Sequence, residues 1–425
     1  MSERFLKLLH SWDPAHPDGS SDSGSAAALL EEAERIIAGG LAGDIPHEEW
    51  QRYLDWTRES RFLQRLPDQD SRNRWAESTF PVILLTGTNL LTIFEQRVAA
   101  HPDRTLLQEM EGERAQKWSY IQVGRRAAAM AASFIDSSDG EPTVAIYAEN
   151  SVDGACSDLA CLLYDIPVSP LNTHLDVDEL ADIFQRLDVN IAVTDTYERF
   201  ERLMAVREIA EQPFQIYLFN LESVCGEHDC ISMNERLATI RPEEVERILD
   251  ERCRLGMTDT ATVMFTSGST GRQKGVCFSQ FNMVSKRFAR AAALPAVGED
   301  EVLLSYLPLF HTFGRFLELQ GMIFWGGTYV FAGSSAAHRL ITLLPEVQPT
   351  GLISIPARWE QIHERCLEQL KRASGAEAGA EIFRRVVGHR LRWGLSAAGY
   401  QDPRVFRFFE ENGVSGCPKR PVGSR

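Results

Sequence analysis

The spacing of apolar residues divides the chain into a helical first stretch and a longer second stretch that alternates helices with short strands. In the first stretch, apolar residues recur at helical spacing over residues 26–42 and again over residues 47–66. This period predicts amphipathic helices. Residues 14–25 are rich in Pro, Gly, Ser and Asp, a composition that favours disorder. We therefore predict a helical, partly disordered N-terminal extension over residues 1–85.

Aromatic residues are concentrated in the second of these predicted helices, where Trp50, Tyr53 and Trp56 accompany Leu54. We expect them to pack a small helical core rather than to bind a ligand. The extension contains no catalytic motif and no internal repeat, so the sequence assigns it no chemical role.

From Thr88 onward, short apolar runs alternate with helical stretches. Helices are predicted over residues 90–99 and 152–164. Strands are predicted over residues 143–148, 167–171, 190–193, 214–219, 261–265, 302–306, 328–331 and 352–355. This alternation is typical of an α/β fold with largely parallel sheets. We predict one domain over residues 86–414, with adjoining αβ subdomains over about 86–255 and 256–414.

Composition and charge narrow the classes of function. The 425 residues include 44 Lys and Arg against 60 Asp and Glu, a formal net charge of -16. A nucleic-acid-binding protein usually has a basic excess or a basic stripe, so we expect no nucleic acid partner. No apolar run reaches the roughly 20 residues of a transmembrane helix. Peripheral contact with a membrane stays open.

The cysteines are scattered along the chain, and the N-terminus does not resemble a signal peptide. We therefore expect free thiols in the reducing cytoplasm. Cys225 and Cys230 flank the sequence Gly-Glu-His-Asp, but no second Cys/His pair follows at zinc spacing. We interpret that segment as a polar loop after a strand, and we predict no metal ligand.

The strongest chemical signal is the sequence Thr-Ser-Gly-Ser-Thr-Gly-Arg-Gln-Lys-Gly over residues 266–275, directly after a strand-like run. Glycine lets main-chain N–H groups approach a ligand closely, and hydroxyl groups with a lysine suit a polyphosphate. A flexible Ser/Gly linker seldom follows a buried strand, and a Walker loop needs Ser or Thr where this chain has Gly275. The candidate phosphate-binding residues are Thr266, Ser267, Gly268, Ser269, Thr270, Gly271 and Lys274.

This segment resembles the signature Thr-Ser-Gly-[Ser/Thr]-Thr-Gly-x-Pro-Lys-Gly-Val of the AMP-binding, or adenylate-forming, superfamily. Gln273 stands where that superfamily usually has proline, and we expect the substitution to loosen the loop slightly. Residues 88–105 resemble the usual opening helix. Residues 166–185 resemble the segment that follows the first strand–helix pair.

Three later segments extend the resemblance to about Val414. Residues 306–314 are similar to the segment whose histidine lies near the acyl pocket, which implies that His311 borders the acyl chain. Residues 355–362 resemble a segment typical of long-chain fatty acyl-CoA ligases, in which we expect Trp359 to be a core residue. Residues 391–399 resemble the strand and turn that pack on adenine. The implied adenine contacts are Ser396, Ala397, Ala398 and Gly399.

The resemblance implies the two αβ subdomains of the large N-terminal domain of an adenylate-forming enzyme. It also implies that a carboxylic acid, expected to be a long-chain fatty acid, is activated to acyl-AMP and then to acyl-CoA. The implied small-molecule partners are the fatty acid, ATP, Mg²⁺ and CoA, and Lys274 and His311 are the candidate catalytic residues. We expect His311 and the strand ending near Ser396 to face one cleft beside the phosphate loop.

Two other functions stay open. The first is an acyl-AMP ligase that transfers its acyl group to the thiol of a carrier protein. The second is a non-catalytic remnant that binds nucleotide or acyl chains, or that acts as a scaffold through its N-terminal helices.

The last residues depart from the family pattern. The family continues after Phe-Phe-Glu-x-x-Gly-Val with a strand and a Tyr-Gly-x-Thr-Glu motif, whose threonine contacts phosphate and whose glutamate holds Mg²⁺. A small domain with a catalytic lysine follows later. Here residues 408–414 match, but residues 415–425 read Ser-Gly-Cys-Pro-Lys-Arg-Pro-Val-Gly-Ser-Arg. We interpret them as an aberrant tail, and we expect a truncated enzyme that does not turn over.

Overall fold

The computed structural model describes most of the chain, namely residues 2–14, 23–111, 114–219, 230–250, 255–266, 273–333, 336–372, 379–396 and 399–415. These residues divide between two compact units, each built around its own β-sheet. Unit 1 consists of Met1–Ala100, Gly124–Glu149 and Asp153–Gly298. Unit 2 consists of His101–Val123, Asn150–Val152 and Glu299–Arg425.

Strands and helices are numbered along the chain. The strands are β1 Thr105–Glu111, β2 Arg114–Ser119, β3 Val144–Tyr147, β4 Val168–Pro170, β5 Ile191–Thr194, β6 Gln215–Leu218, β7 Ile231–Ser232, β8 Thr260–Thr266, β9 Lys274–Ser279, β10 Val302–Ser305, β11 Thr328–Phe331, β12 Gly351–Ser354 and β13 Trp393–Ser396. The helices are α1 Ser2–His10, α2 Ser23–Ala38, α3 His47–Thr57, α4 Ser60–Leu63, α5 Gln69–Thr86, α6 Leu90–Ala100, α7 Tyr120–Asp136, α8 Val152–Leu163, α9 Val177–Leu187, α10 Tyr197–Ala210, α11 Met233–Thr239, α12 Pro242–Asp250, α13 Gln280–Ala293, α14 Gln320–Trp325, α15 Ala337–Val347, α16 Pro356–Arg372, α17 Gly379–Val387 and α18 Pro403–Glu411. A 3₁₀ turn covers Ala42–Asp44 and a π-helical segment covers Phe313–Leu319.

Among the described residues, the sheet of unit 1 has seven strands in the order β7-β6-β5-β3-β4-β8-β9. Its neighbouring strands are parallel except for β8 and β9, which form an antiparallel hairpin. Every residue of β3 and β5 is buried, which explains why these strands are continuous apolar runs in the sequence. We call β8, β9 and the residues 267–273 that join them the phosphate hairpin.

The N-terminal helices belong to unit 1 and pack against α13. The ring centroids of Trp75 and Phe288 are 5.7 Å apart, and Ser60 Oγ donates a hydrogen bond to Pro295 O at 2.8 Å. As predicted, Trp50, Tyr53 and Leu54 are buried core residues, whereas Trp56 is half-buried. The single helix predicted over residues 47–66 is two helices, α3 and α4, because Glu59 between them has an extended backbone.

The described part of the unit 2 sheet has six strands in the order β13-β12-β10-β11-β1-β2. Its pairs are parallel except for β1 with β2. The predicted α/β class with largely parallel sheets is therefore confirmed. The predicted boundary at residues 255–256 falls between α12 and β8 inside unit 1, and the last passage of the chain from unit 1 to unit 2 lies at residues 298–299.

Two segments that the sequence singles out, the stretch over residues 14–25 and the tail over residues 415–425, lie only in part among the described residues. Residues 23–25, within the stretch whose composition favours disorder, begin α2, and residues 15–22 lie outside the described residues. Ser415, the first residue of the predicted tail, runs alongside β13. Its N–H donates to Arg392 O at 2.8 Å, and its carbonyl oxygen accepts from Gly394 N at 3.1 Å. Residues 416–425 lie outside the described residues.

Within the described ranges, no helix combines the length and the apolar character needed to cross a membrane. The cysteines in those ranges are free thiols: Cys156, Cys161, Cys230, Cys277 and Cys366. Cys225, the partner of Cys230 in the sequence pattern considered for metal binding, lies outside the described residues.

Candidate functional site

The predicted phosphate-binding segment begins at the end of β8 and ends at the start of β9. Thr266 and Lys274 are register partners, and both side chains are exposed. Because β8 is parallel to β4, Thr266 lies at the carboxyl edge of the unit 1 sheet, where open α/β sheets bind ligands. An exposed hydroxyl and an exposed ammonium therefore stand at the two ends of the joining residues. Ser267, Gly268, Ser269, Thr270 and Gly271 lie outside the described residues.

Helix α9 contacts the phosphate hairpin at Phe265 of β8 and at Gln273, the residue that directly precedes β9. Arg186 Nη1 donates to Gln273 O at 2.9 Å, and the Arg186 guanidinium carbon lies 5.2 Å from the centroid of the Phe265 ring. Gln273 Nε2 donates to Glu179 Oε1 at 3.1 Å. The sequence did not reveal these partners, because α9 precedes the hairpin by a long stretch of chain that carries no matching motif.

His311 lies in unit 2, between β10 and the π-helical segment. Its imidazole is exposed, so it is not a core histidine. The ring stacks on Phe313 with centroids 5.9 Å apart at an interplanar angle of 13°, and its Nδ1 accepts from Phe313 N at 3.4 Å. This arrangement leaves the imidazole available to a ligand.

The chain around His311 is fixed by close contacts. Asn150 Nδ2 donates to Leu307 O at 2.7 Å, and Asn150 Oδ1 accepts from Leu309 N at 2.9 Å. A Cβ at Gly314 would lie 2.5 Å from the carbonyl oxygens of Leu307 and Pro308, so a side chain at this position would clash with the backbone. Glycine is therefore required for the segment to fold back on itself.

A buried carboxyl group lies in the π-helical segment. Glu318 is fully buried and accepts a hydrogen bond from Ser305 Oγ, which in turn accepts from Tyr329 OH at 2.8 Å. Burial raises the pKa of Glu318 well above its ordinary value of 4.5, so the neutral acid is favoured in the folded protein. Short π-helical stretches are frequent at functional sites. No local sequence pattern pointed to this group.

The strand predicted to pack on adenine is β13, and Ser396 is its last residue. Ser396 is in register with Ser354 of β12, and its Oγ donates to Gln401 Oε1 at 3.0 Å. Ser354 Oγ lies 2.8 Å from Tyr306 OH. Gly399 is exposed, and Ala397 and Ala398 lie outside the described residues.

Trp359 holds β13 from one face. Its Nε1 donates to Leu395 O at 3.2 Å, and its ring centroid lies 4.9 Å from that of Phe409. A Cβ at Gly394 would lie 2.6 Å from the Trp359 ring, so only glycine allows this contact. Trp359 is 3% exposed, which confirms the prediction that it is a core residue.

Within unit 2, the segments that contain His311 and Ser396 leave the sheet at the same edge, because β10, β12 and β13 are parallel neighbours. This is the arrangement that a shared cleft needs. The placement of Lys274 relative to these segments stays a prediction.

The comparison with known families agrees with these features. The sequence profile of the family described as AMP-binding enzyme matches residues 94–418, which is well over half of the chain. The chain belongs to the AMP-binding enzyme family. The matched range includes the phosphate hairpin, His311 and β13.

Similar proteins of this family include a rat protein named long-chain-fatty-acid–CoA ligase 5, which is 25% identical over 309 residues, 66% of this chain and 43% of that protein. The human long-chain-fatty-acid–CoA ligase ACSBG1 is 30% identical over 186 residues, 42% of this chain and 25% of that protein. This chain therefore spans less than half the length of these curated relatives.

Solved structures support the fold. The N-terminal domain of FACL13 from Mycobacterium tuberculosis superposes with a TM-score of 0.61 at 18% identity, covering 77% of this chain and 74% of that chain. The predicted fold, the large N-terminal domain of an adenylate-forming enzyme, is thereby confirmed.

Among the described residues, no group of three or more His, Cys, Asp or Glu side chains is placed to hold a metal ion.

Proposed function

We propose that this chain is the nucleotide-binding and acid-activating part of a long-chain fatty acyl-CoA ligase. The observation that carries the proposal is the phosphate hairpin, in which the exposed side chains of Thr266 and Lys274, both part of the family signature, flank the joining residues 267–273. The names of the similar ligases support a long-chain fatty acid as the class of substrate.

The chemistry explains why such a hairpin is needed. A free carboxylate is a poor acyl donor, since its leaving group would be oxide. In the proposed first step, a carboxylate oxygen attacks the α-phosphorus of ATP, the bond to the bridging β-phosphate oxygen breaks, and acyl-AMP and pyrophosphate form. In the second step, the CoA thiol loses its proton to solvent and its sulfur attacks the acyl carbon, and AMP leaves with the electron pair of the acyl–oxygen bond.

The first step brings two anions together, so positive charge and N–H donors must be placed beforehand. We assign this role to Lys274, with Thr266 and the hydroxyl groups of the joining residues, acting on the β- and γ-phosphates. Mg²⁺ bound to the phosphates would share their charge. In unit 2, we assign His311 to the acyl chain and the segment from Ser396 to Gly399 to adenine. The exposure of His311 and the common sheet edge support these assignments.

The proposed partners are a fatty acid, ATP and CoA. We further propose a cytoplasmic location, which the free thiols of the described cysteines support, since disulfides are rare in that compartment. An alternative acceptor, the thiol of a carrier protein, uses the same first step. Supplying CoA or a carrier protein together with ATP, Mg²⁺ and a long-chain fatty acid, and measuring which thiol becomes acylated, separates the two.

A non-hydrolysable acyl-sulfamoyl adenosine tests the activation function directly, since analogues of reaction intermediates bind tightly to the enzymes that form them. We expect the long-chain analogue to bind this polypeptide at least about tenfold more tightly than the acetyl analogue, as burial of a long alkyl chain implies. Equal affinities would contradict a long-chain acid. A lack of binding by both analogues would contradict adenylation.

A turnover assay tests the polypeptide of residues 1–425 as it stands. These residues contain no Tyr-Gly-x-Thr-Glu sequence, and loss of one well-placed electrostatic donor already costs about 10²–10³ in rate. With ATP, Mg²⁺, a long-chain fatty acid and CoA, we therefore expect pyrophosphate release far below ordinary rates of roughly 1–10 s⁻¹. Ordinary turnover that disappears in Lys274→Ala, but not in Lys286→Ala, which changes an exposed lysine of α13, would show that the Tyr-Gly-x-Thr-Glu motif is dispensable.

A further inference from the structure

The two residues that directly precede Thr266 and Lys274 are both bound by Arg186. The guanidinium carbon lies 5.2 Å from the Phe265 ring centroid, and Nη1 donates to Gln273 O at 2.9 Å. Phe265 is the neighbour of Thr266 on β8, and Gln273 is the neighbour of Lys274 at the start of β9. One side chain therefore holds the phosphate hairpin at the point where both candidate phosphate ligands begin.

The helix that carries Arg186 is well anchored. At its first turn, Asp176 Oδ1 accepts from Glu179 N at 2.8 Å, and Glu179 Oε2 accepts from Asp176 N at 3.1 Å, which forms a capping box. The opposite, apolar face of α9 is buried in the core of unit 1 through Leu180, Ile183 and Phe184. A rigid helix of this kind can serve as a fixed support for a more exposed element.

The phosphate hairpin needs such a support. β9 is the last strand of the unit 1 sheet, so β8 is its only neighbour in the described sheet. Lys274, Gly275 and Val276 are exposed, which leaves the first half of β9 with few buried contacts. Edge strands with exposed side chains open more readily than central strands. Contacts from α9 are therefore in a position to fix the geometry of the loop ends.

We propose that Arg186 is a positioning residue for phosphate binding. The proposal rests on the proposed function. Arg186 keeps Phe265 and Gln273 in place, and so holds the Thr266 hydroxyl and the Lys274 ammonium at the spacing that a polyphosphate requires. Gln273 Nε2 also donates a hydrogen bond to Glu179 Oε1 at 3.1 Å, which is a second contact with α9. A proline at position 273 could not make this hydrogen bond.

The test compares Arg186→Met with Arg202→Met. Both arginines form an ion pair at 3.0 Å with a carboxylate one helical turn away, Arg186 with Asp182 and Arg202 with Glu198. Arg202, however, is on α10 and has no described contact with the phosphate hairpin. Two quantities are measured: hydrogen exchange of peptides covering residues 260–279, and the Kd for ATP with Mg²⁺. We expect faster exchange over residues 273–279 and about tenfold weaker ATP binding in Arg186→Met, the range for loss of one charge-assisted hydrogen bond. Arg202→Met should match the wild type in both.

The outcomes are separable. If hairpin exchange in Arg186→Met equals that in Arg202→Met, Arg186 does not hold the hairpin. If hairpin exchange becomes faster in Arg186→Met and the ATP affinity is unchanged, the contacts of Arg186 have no role in phosphate binding. If the wild type itself binds no ATP, the proposed function fails, and the exchange result still decides whether Arg186 holds the hairpin.

A second pair of variants covers the case in which Arg186→Met does not fold. Gln273→Glu places two carboxylates together at the Glu179 contact, and we expect it to weaken ATP binding. Adding Glu179→Gln restores one amide–carboxylate hydrogen bond and leaves a residue that still fits a capping box. Recovery of ATP affinity in the double variant supports the role of α9, and an equal defect in the single and double variants overturns it.

Discussion

The two units hold their candidate binding segments in different ways. In unit 1, the phosphate hairpin is held by charged contacts near the surface, and the side chains of Arg186 and Asp182 are 33% and 32% exposed. In unit 2, β13 and the segment before His311 are held by buried aromatic packing and neutral hydrogen bonds, among them those of Trp359 and Tyr306. Burial makes hydrogen bonds and packing costly to lose, whereas exposed ion pairs contribute little to stability. Changes in unit 2 should therefore lower stability, and changes at the hairpin should lower ligand affinity.

The largest effect is expected at Trp359. Trp359→Ala removes a buried ring that packs on Phe409 and holds β13. The free energy of unfolding should therefore fall by about 3–5 kcal/mol. Trp359→Phe keeps most of the packing and loses the hydrogen bond to Leu395 O, with an expected cost of about 1 kcal/mol. Denaturant unfolding measures both. A Trp359→Ala variant as stable as the wild type would remove the contrast between the units.

A second effect concerns the buried acid of unit 2. The pKa of Glu318 is raised in the folded state by burial, so its stabilising contribution is present below about pH 4.5 and is lost as the pH rises toward the folded-state value. Glu318→Gln does not titrate and can still accept from Ser305. Relative to this variant, the wild type should lose up to about 1.4 kcal/mol per pH unit above pH 4.5.

Unfolding free energies of both proteins, measured at several pH values from 4.5 to 8, test this expectation. A difference that does not change with pH would mean that Glu318 titrates as an ordinary glutamate, and that the interior of unit 2 around it is not as dry as the buried packing indicates.

The smallest effect on stability is expected at the Asp182–Arg186 ion pair of α9, beside the phosphate hairpin. Asp182→Asn removes the ion pair with Arg186 within α9 and leaves the contacts of Arg186 with Phe265 and Gln273 in place. Exposed i,i+4 pairs contribute about 0.3–0.5 kcal/mol, so thermal unfolding should barely change. A loss comparable to that of Trp359→Ala would show that the support is part of the stable core, and the distinction between the units would fail.

The sequence predicted most of the interior strands of the two sheets, but it missed β1, which lies between β11 and β2, and the edge strands β2, β7 and β9. β3, β5 and β10 are apolar runs because they are buried, and this makes them visible in a pattern of residues. β2 and β9 lie at sheet edges with several exposed side chains, so they lack such a run and were not predicted. Burial, rather than strand formation itself, is what the pattern detects.

The same limit applies to the site. The phosphate signature is local, because its hydroxyl groups, glycines and lysine all lie within residues 266–275. The residues that support the candidate binding segments are distant in sequence: Arg186 is separated from Gln273 of the phosphate hairpin by 87 positions, and Asn150 is separated from Leu307, which precedes His311, by 157. Only the fold brings these pairs together, so no reading of spacing along the chain could identify them. The buried state of Glu318 is likewise a property of tertiary packing.

The central claim is that the phosphate hairpin binds the phosphates of ATP through Lys274, and a titration of the polypeptide with ATP and Mg²⁺ tests it most directly. We expect the wild type and Lys286→Ala to bind with equal affinity, because Lys286 is an exposed lysine of α13 outside the hairpin. Lys274→Ala should bind at least about tenfold more weakly, a loss of roughly 1.4 kcal/mol from one lysine–phosphate contact. If Lys274→Ala binds ATP as tightly as Lys286→Ala does, the claim is contradicted.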